Sequence, residues 1–74
     1  MQRVYSPEAQ TVGQNVRRLR LERGLTQVLL ADRSGLHRAH VGEIERGERN
    51  VTLSTLKILA DTLRVRIADL VKGL

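Results

Sequence analysis

Residues 27–44, QVLLADRSGLHRAHVGEI, contain the spacing that decides the fold. Counting from Gln27, a small residue stands four positions on at Ala31 and a glycine eight positions on at Gly35. Apolar residues follow at three, nine, fourteen and seventeen positions. Two short helices that cross steeply need a small side chain at the crossing, and the turn between them needs a residue that tolerates positive φ. The stretch therefore predicts two helices joined by a tight turn.

The residues on either side predict three further helices and so an all-α fold of five helices. Ser6 as a cap, Pro7 at the first helical position and Glu8 in the first turn favour a helix start, and Gly24 ends that helix. Gly13 lies inside it and is expected to be a mild weakness, because glycine is a poor helix former. No stretch alternates with period two for long enough to be a strand. The expected helices are, approximately, 7–23, 27–33, 38–45, 53–63 and 67–71.

The composition indicates a small globular domain with an anionic partner. The 74 residues carry 13 Lys and Arg against 8 Asp and Glu, a formal net charge of +5. The chain has no cysteine, which excludes disulfides, thiolate metal sites and thiol catalysis. Its aromatic content is 1%, so it lacks the stacking platforms that capture single-stranded nucleic acid. A polyanionic partner is therefore expected, and capture of a single strand by base stacking is not.

Membrane, secretory and enzymatic functions are not expected. The longest apolar run is residues 28–31, far too short for a bilayer span, and the first residues lack the apolar region of a signal peptide. The expected location is the cytoplasm. The serines have no evident catalytic base, and there is no glycine-rich phosphate loop. His37, His40 and Glu43 are spaced as the beginning of a metal site, but no fourth ligand is visible, so no metal and no cofactor are expected.

The residue order resembles the Cro/C1-type helix-turn-helix regulators, the XRE family. The resemblance spans about residues 12–71 and implies a lambda-repressor-like DNA-binding domain of five helices, with residues 1–74 as a single domain. Larger family members carry a sensor or oligomerisation domain after this unit. The short chain is most similar to the controller proteins of restriction–modification systems, which are small dimeric regulators of operators near their own genes. The matching segments are VRRLR (16–20), GLTQ (24–27), LA (30–31), SGL (34–36), VGEIERGERN (41–50) and the leucines of 53–63.

The chain departs from the family pattern at several positions. His37 stands where Ser or Thr is usual, so the third helix is expected to be poorly capped. Gly42 lies in the middle of that helix, either to let DNA approach the backbone or because it is tolerated. Leu21, Val28 and Leu29 replace residues that are usually polar, and they are candidates for a wider self-association surface.

The third helix is expected to enter the major groove with its outward face. Arg38 is the first candidate for base reading, because arginine grips guanine O6 and N7 with two hydrogen bonds. Ala39 is small enough to touch a thymine methyl group, or it is a filler. His37 and His40 are candidates for phosphate or base contacts. Glu43 either accepts from cytosine N4 or orients a neighbouring arginine.

Further contacts follow from the resemblance to the family. It implies that Gln27 binds a phosphate and that Arg46 and Asn50 touch the DNA backbone, although Asn50 also suits a capping or turn role. Arg17 is a weaker candidate. The resemblance also implies that Arg20 and Glu45 form a buried, structural ion pair. The complete set of candidate DNA-binding residues is Arg17, Gln27, His37, Arg38, Ala39, His40, Glu43, Arg46 and Asn50.

A homodimer on a palindromic operator is expected, because one small module presents a single reading helix and two-fold pairing doubles the contacts. Helices 4 and 5 carry surplus apolar residues that either form the dimer interface or complete the core: Ile58, Val65, Ile67, Leu70, Val71 and Leu74. An activator would also need a surface for RNA polymerase, which the sequence does not identify. The alternatives are an antitoxin that sequesters a protein toxin and a phage-type repressor.

Overall fold

Five α-helices joined by short turns make up residues 6–74, the part of the chain that the computed structural model describes. The described range contains no strand, so the all-α prediction is confirmed, and each helix ends within one residue of its expected position. None of these helices is long and apolar enough to cross a bilayer. The elements are α1 (Pro7–Glu22), α2 (Gln27–Ser34), α3 (Arg38–Glu45), α4 (Leu53–Leu63) and α5 (Ile67–Leu70).

Side-chain caps set the starts of three helices. The hydroxyl of Ser6 accepts from the Ala9 amide at 3.0 Å, and that of Thr26 accepts from the Leu29 amide at 3.1 Å. Thr52 caps α4 in the same way. His37, at the N-cap of α3, makes no side-chain cap bond, as its residue type predicted. The cap of α3 is therefore missing at the helix expected to read DNA.

The turn between α2 and α3 has the predicted geometry. Gly35 adopts φ +79°, the left-handed conformation that costs glycine nothing. Ala31 is 4% exposed, as expected for a small residue at the helix crossing. The turn therefore brings α3 back against α2 without a clash.

The core lies between all five helices and is made of aliphatic side chains. Leu70 is fully buried in it, so of the two alternatives given above this residue completes the core and is not available for a dimer interface. Val65, Ile67 and Val71 are partly buried and pack against the same core. Of the expected surplus, only Ile58 and Leu74 remain exposed. The largest side chains with no or almost no exposure are Val16, Leu30, Val41, Ile44, Leu59, Leu63 and Leu70.

Gly13 corrects one expectation, because it is a close-packing position and not a weakness. A Cβ atom added there would overlap the carbonyl oxygen of Ile44 and lie 2.9 Å from that of Glu45. Main-chain atoms cannot move aside as a flexible side-chain end can. The absence of a side chain at Gly13 therefore lets α1 lie directly on the backbone at the end of α3.

Gly13→Ala is expected to destabilise the protein by about 1–3 kcal/mol or more, because overpacking against backbone forces the two helices apart. Helix propensity alone predicts the opposite sign, a gain of up to about 1 kcal/mol. Thermal unfolding followed by circular dichroism measures the difference. Gln14→Ala, at an exposed neighbouring position, is the control and should be nearly neutral. A melting temperature of Gly13→Ala above that of the wild type would contradict the packing argument.

Candidate nucleic-acid interface

A shallow groove runs along the outward side of α3, and five of the nine candidate residues line it. Gly42 is one of its lining residues, and a Cβ atom added there would lie 3.0 Å from Arg46 Nη1 and 3.7 Å from Gln27 Oε1. The groove is lined by Gln27, Arg38, Ala39, Gly42, Glu43, Arg46 and Glu48.

Arg38 is the exposed cation at the start of α3. Within residues 6–74, no acidic side chain lies within ion-pair distance of it. All five N–H donors of its guanidinium are therefore available to an outside acceptor. Arg38 also borders a second depression, between α1 and α2, to which Leu21 and Val28 contribute. Leu21, Val28 and Leu29 are 55%, 43% and 39% exposed, so these apolar side chains do reach the surface.

Beneath the groove, Arg20 of α1 and Glu45 of α3 form the buried ion pair that the family resemblance implied. Arg20 Nε lies 2.6 Å from Glu45 Oε2 and Nη2 lies 2.9 Å from Oε1, a two-pronged contact. Arg20 Nη1 donates to the Leu25 carbonyl at 2.8 Å. The hydrogen bond to Glu45, together with its negative charge, raises the pKa of the Arg20 guanidinium despite the opposing effect of burial. The pair therefore joins α1, the loop after it and the end of α3.

Gln27 connects this pair to the surface. Its Nε2 donates to Glu45 Oε1 at 3.1 Å, and its side chain is half-buried between the pair and the groove. The amide group carries a second N–H, which one bond to Glu45 leaves free for another acceptor. The structure therefore gives Gln27 an internal partner that the sequence did not predict, and this partner orients the side chain at the start of α2.

Two of the candidates, Glu43 on α3 and Arg46 at the C-cap of that helix, are held by ion pairs. Glu43 Oε2 lies 2.7 Å from Arg49 Nε, and Arg46 Nε lies 2.6 Å from Glu48 Oε2. The first pair agrees with the expectation that Glu43 orients an arginine. Arg49 was not among the candidates. Its spacing of six from Glu43 falls outside the three- and four-residue spacings that predict helical pairs, so the sequence pattern did not indicate the contact.

The remaining candidates lie outside the groove. Asn50 Oδ1 accepts from the Ser6 hydroxyl at 3.1 Å, which supports the residue that caps α1 and fits the structural alternative for Asn50. Arg17 is exposed on α1 and borders a separate depression with Leu21. His37 is exposed and His40 half-buried. No group of three or more His, Asp or Glu side chains within residues 6–74 is arranged to hold a metal ion.

Known proteins are similar to this chain in sequence and in fold. The helix-turn-helix family HTH_3 matches residues 16–70. The control protein C.SmaI from Serratia marcescens is 51% identical over 59 residues, which are 80% of this chain and 70% of that protein. The immunity repressor of Bacillus phage phi105 is 43% identical over 61 residues, 82% of this chain but only 42% of the repressor.

One similar solved structure is that of the restriction–modification controller protein C.AhdI from Aeromonas hydrophila. Its TM-score with this chain is 0.84 at 42% sequence identity. The alignment covers 88% of this chain and 98% of that chain. The five-helix arrangement around α3 is therefore shared along almost the whole of that protein.

Arg20→Ala is expected to cost about 3–5 kcal/mol of folding free energy, because it leaves the Glu45 carboxylate buried and unpaired. Arg38→Ala removes the same charge from an exposed site, so its effect should stay within about 0.5 kcal/mol. Urea unfolding of both variants gives the comparison. Equal losses for the two would show that Arg38 supports the fold and is not free for a ligand.

Proposed function

This chain belongs to the helix-turn-helix family HTH_3, and on that premise we propose that it is a transcriptional regulator that binds a specific sequence of double-stranded DNA. The observation that carries the proposal is the unpaired, exposed Arg38 at the start of α3, at one end of a groove that also contains Gln27. A recognition helix presents the side chains of its first turn to base edges in the major groove. In this proposal Arg38 has that role.

In the proposed complex, some residues contact bases and others contact phosphates to position α3. Arg38 donates two hydrogen bonds to guanine O6 and N7, and Ala39 lies against a thymine methyl group. Gln27 donates its second amide N–H to a phosphate, helped by the main-chain amides at the start of α2. His37 and His40 contact phosphates or bases in the proposed complex. These groups fix the register of α3 in the groove.

Further residues act at the edges of the site. Arg46 lines the groove and contacts the DNA backbone in the proposed complex. Asn50 contributes by holding the start of α1, with a backbone contact of its own as its second role. Arg17 adds positive charge beside the site, and diffuse attraction of this kind speeds association with DNA.

The narrower proposal is a controller protein of a restriction–modification system. It is supported by the 51% identity to the control protein C.SmaI and by the match to the controller protein C.AhdI along nearly its whole length. In this proposal residues 1–74 act as one domain in the cytoplasm, and the operator lies near the protein's own gene. If the protein activates transcription, RNA polymerase is a second partner.

A phage-type repressor is the second candidate, and the 43% identity to the phi105 immunity repressor favours it. The neighbouring genes discriminate between the two functions. A restriction nuclease and a methyltransferase beside this gene support the controller, whereas phage lysis and replication genes support the repressor. DNA binding through α3 is common to both.

DNA binding is expected to be specific and sensitive to salt. A duplex selected by the protein from a random library, measured at several salt concentrations, should show log K falling with a slope of about −0.9 per neutralised phosphate. Arg38→Ala should weaken this binding by about 1–3 kcal/mol without changing the melting temperature. Lys72→Ala removes the same charge from the exposed end of the chain and serves as the control. Binding that is indifferent to salt would contradict the proposal.

The proposed assembly is a homodimer whose interface includes α4 and the segment after α5. Ile58 and Leu74 remain 38% and 63% exposed there, and Leu53 at the start of α4 is 74% exposed. Large exposed apolar groups of this kind mark association surfaces when they lie together. A two-fold dimer would set two copies of α3 about one DNA turn apart.

Ile58→Ser is expected to shift the protein from dimer to monomer in sedimentation at micromolar concentrations, because it places a polar group in the proposed interface. Leu21→Ser changes the other exposed apolar surface, on α1, and should leave the dimer intact. If only Leu21→Ser dissociates the protein, the interface lies on α1. A wild-type protein that is monomeric throughout this range would reject the dimer.

A further inference from the structure

The Glu43–Arg49 pair joins the DNA-facing side of α3 to the loop that leaves the helix. Glu43 lines the groove beside Arg38, whereas Arg49 approaches it from outside. The side chains of Glu43 and Arg49 are 29% and 54% exposed. An exposed pair of this kind contributes little to folding. Because Glu43 lines the groove, the pair also fixes where the Arg49 guanidinium lies relative to it.

Arg49 retains donors that the pair does not use. The contact to Glu43 engages Nε, so the four N–H groups on the two terminal nitrogens remain for a second acceptor. The carboxylate also restricts the guanidinium to one place, which lowers the entropy cost of a further bond. Phosphate oxygens are the acceptors that DNA offers at the edge of the major groove.

At long range the opposite charges of Glu43 and Arg49 cancel, but at hydrogen-bond distance the Arg49 guanidinium still acts as a donor. Non-specific attraction to DNA depends on net charge, and a neutral pair adds little to it. At hydrogen-bond distance the terminal nitrogens of Arg49 can still bind a phosphate oxygen. The pair therefore strengthens DNA binding only when α3 is close enough to the DNA for Arg49 to bond a phosphate oxygen directly.

We propose that Glu43 is a positioning residue: it limits Arg49 to phosphate contacts that form only when α3 lies fully within the DNA major groove. The protein thereby discriminates more strongly between its specific sequence and random DNA. This inference rests on the proposed DNA-binding function. In it Glu43 acts through Arg49 and does not itself read a base.

The test compares binding of a duplex selected by the wild-type protein with binding of a scrambled duplex of the same length. Glu43→Gln keeps the side-chain size and releases Arg49. Its affinity for the scrambled duplex should rise by up to about eightfold at 0.1 M salt, the value of one additional neutralised phosphate. Its affinity for the selected duplex should change much less, so the ratio of the two affinities falls.

Two further variants separate the partners. Arg49→Ala should weaken binding of the selected duplex and reduce its salt slope by about 1, because one phosphate contact is lost. Adding Glu43→Gln to Arg49→Ala should recover part of that loss, since the unpaired carboxylate no longer repels the DNA. Thermal unfolding should give wild-type melting temperatures for all three proteins.

The control is Asp61→Asn, which removes an acid from another exposed pair, Lys57–Asp61 on α4, at 2.8 Å. It changes the net charge as Glu43→Gln does, but away from α3, and should leave the affinity ratio unchanged. If it lowers the ratio equally, net charge explains the effect and the inference fails.

Two other outcomes are equally decisive. If Glu43→Gln alters the preferred base at one position and leaves scrambled-duplex binding unchanged, Glu43 reads a base directly and the inference is wrong. If the wild type selects no sequence at all, the proposed function fails before the pair is tested. Loss of binding in Arg38→Ala, with no effect of Glu43→Gln, rejects the inference alone.

Discussion

Arg20 and Glu45 meet beneath the surface where α1 crosses the end of α3, and the same contact includes the Leu25 carbonyl and the Gln27 amide. Buried charges are tolerated only when they are paired and hydrogen-bonded, and removing one partner leaves the other strongly destabilised. The pair thus fixes the direction of α3 relative to α1. It also fixes the start of α2, because Gln27 bonds the same carboxylate.

The close approach at Gly13 sets the distance between α1 and α3. The Arg20–Glu45 ion pair sets the direction of α3 relative to α1. The backbone of α1 rests on the carbonyl groups of Ile44 and Glu45, with no side chain between them. Side chains on the other face of α3 are therefore carried by a helix that packs against main chain. Rigid support of this kind is what a recognition surface needs, since small displacements weaken directional hydrogen bonds.

Polar residues near the proposed DNA surface differ in how tightly the protein holds them. Gln27, Glu43 and Asn50 each have a partner within the described chain. Arg38 has none among the ion pairs of that region. The side chains proposed to position α3 are therefore held by the protein, whereas the side chain proposed to read a base is not. In the proposed complex, the held residues place α3 and Arg38 adapts to the base.

The sequence by itself determined the five helices, because caps such as Ser6 and Thr26, and apolar spacing, act within a few positions along the chain. The family resemblance supplied the Arg20–Glu45 pair and the proposal that α3 reads DNA. Only the tertiary structure decided that Gly13 is a contact point, that Leu70 belongs to the core and that Glu43 holds Arg49. Helix propensity belongs to one segment of chain, whereas steric exclusion, burial and ion pairing depend on the distance between segments, which folding alone sets.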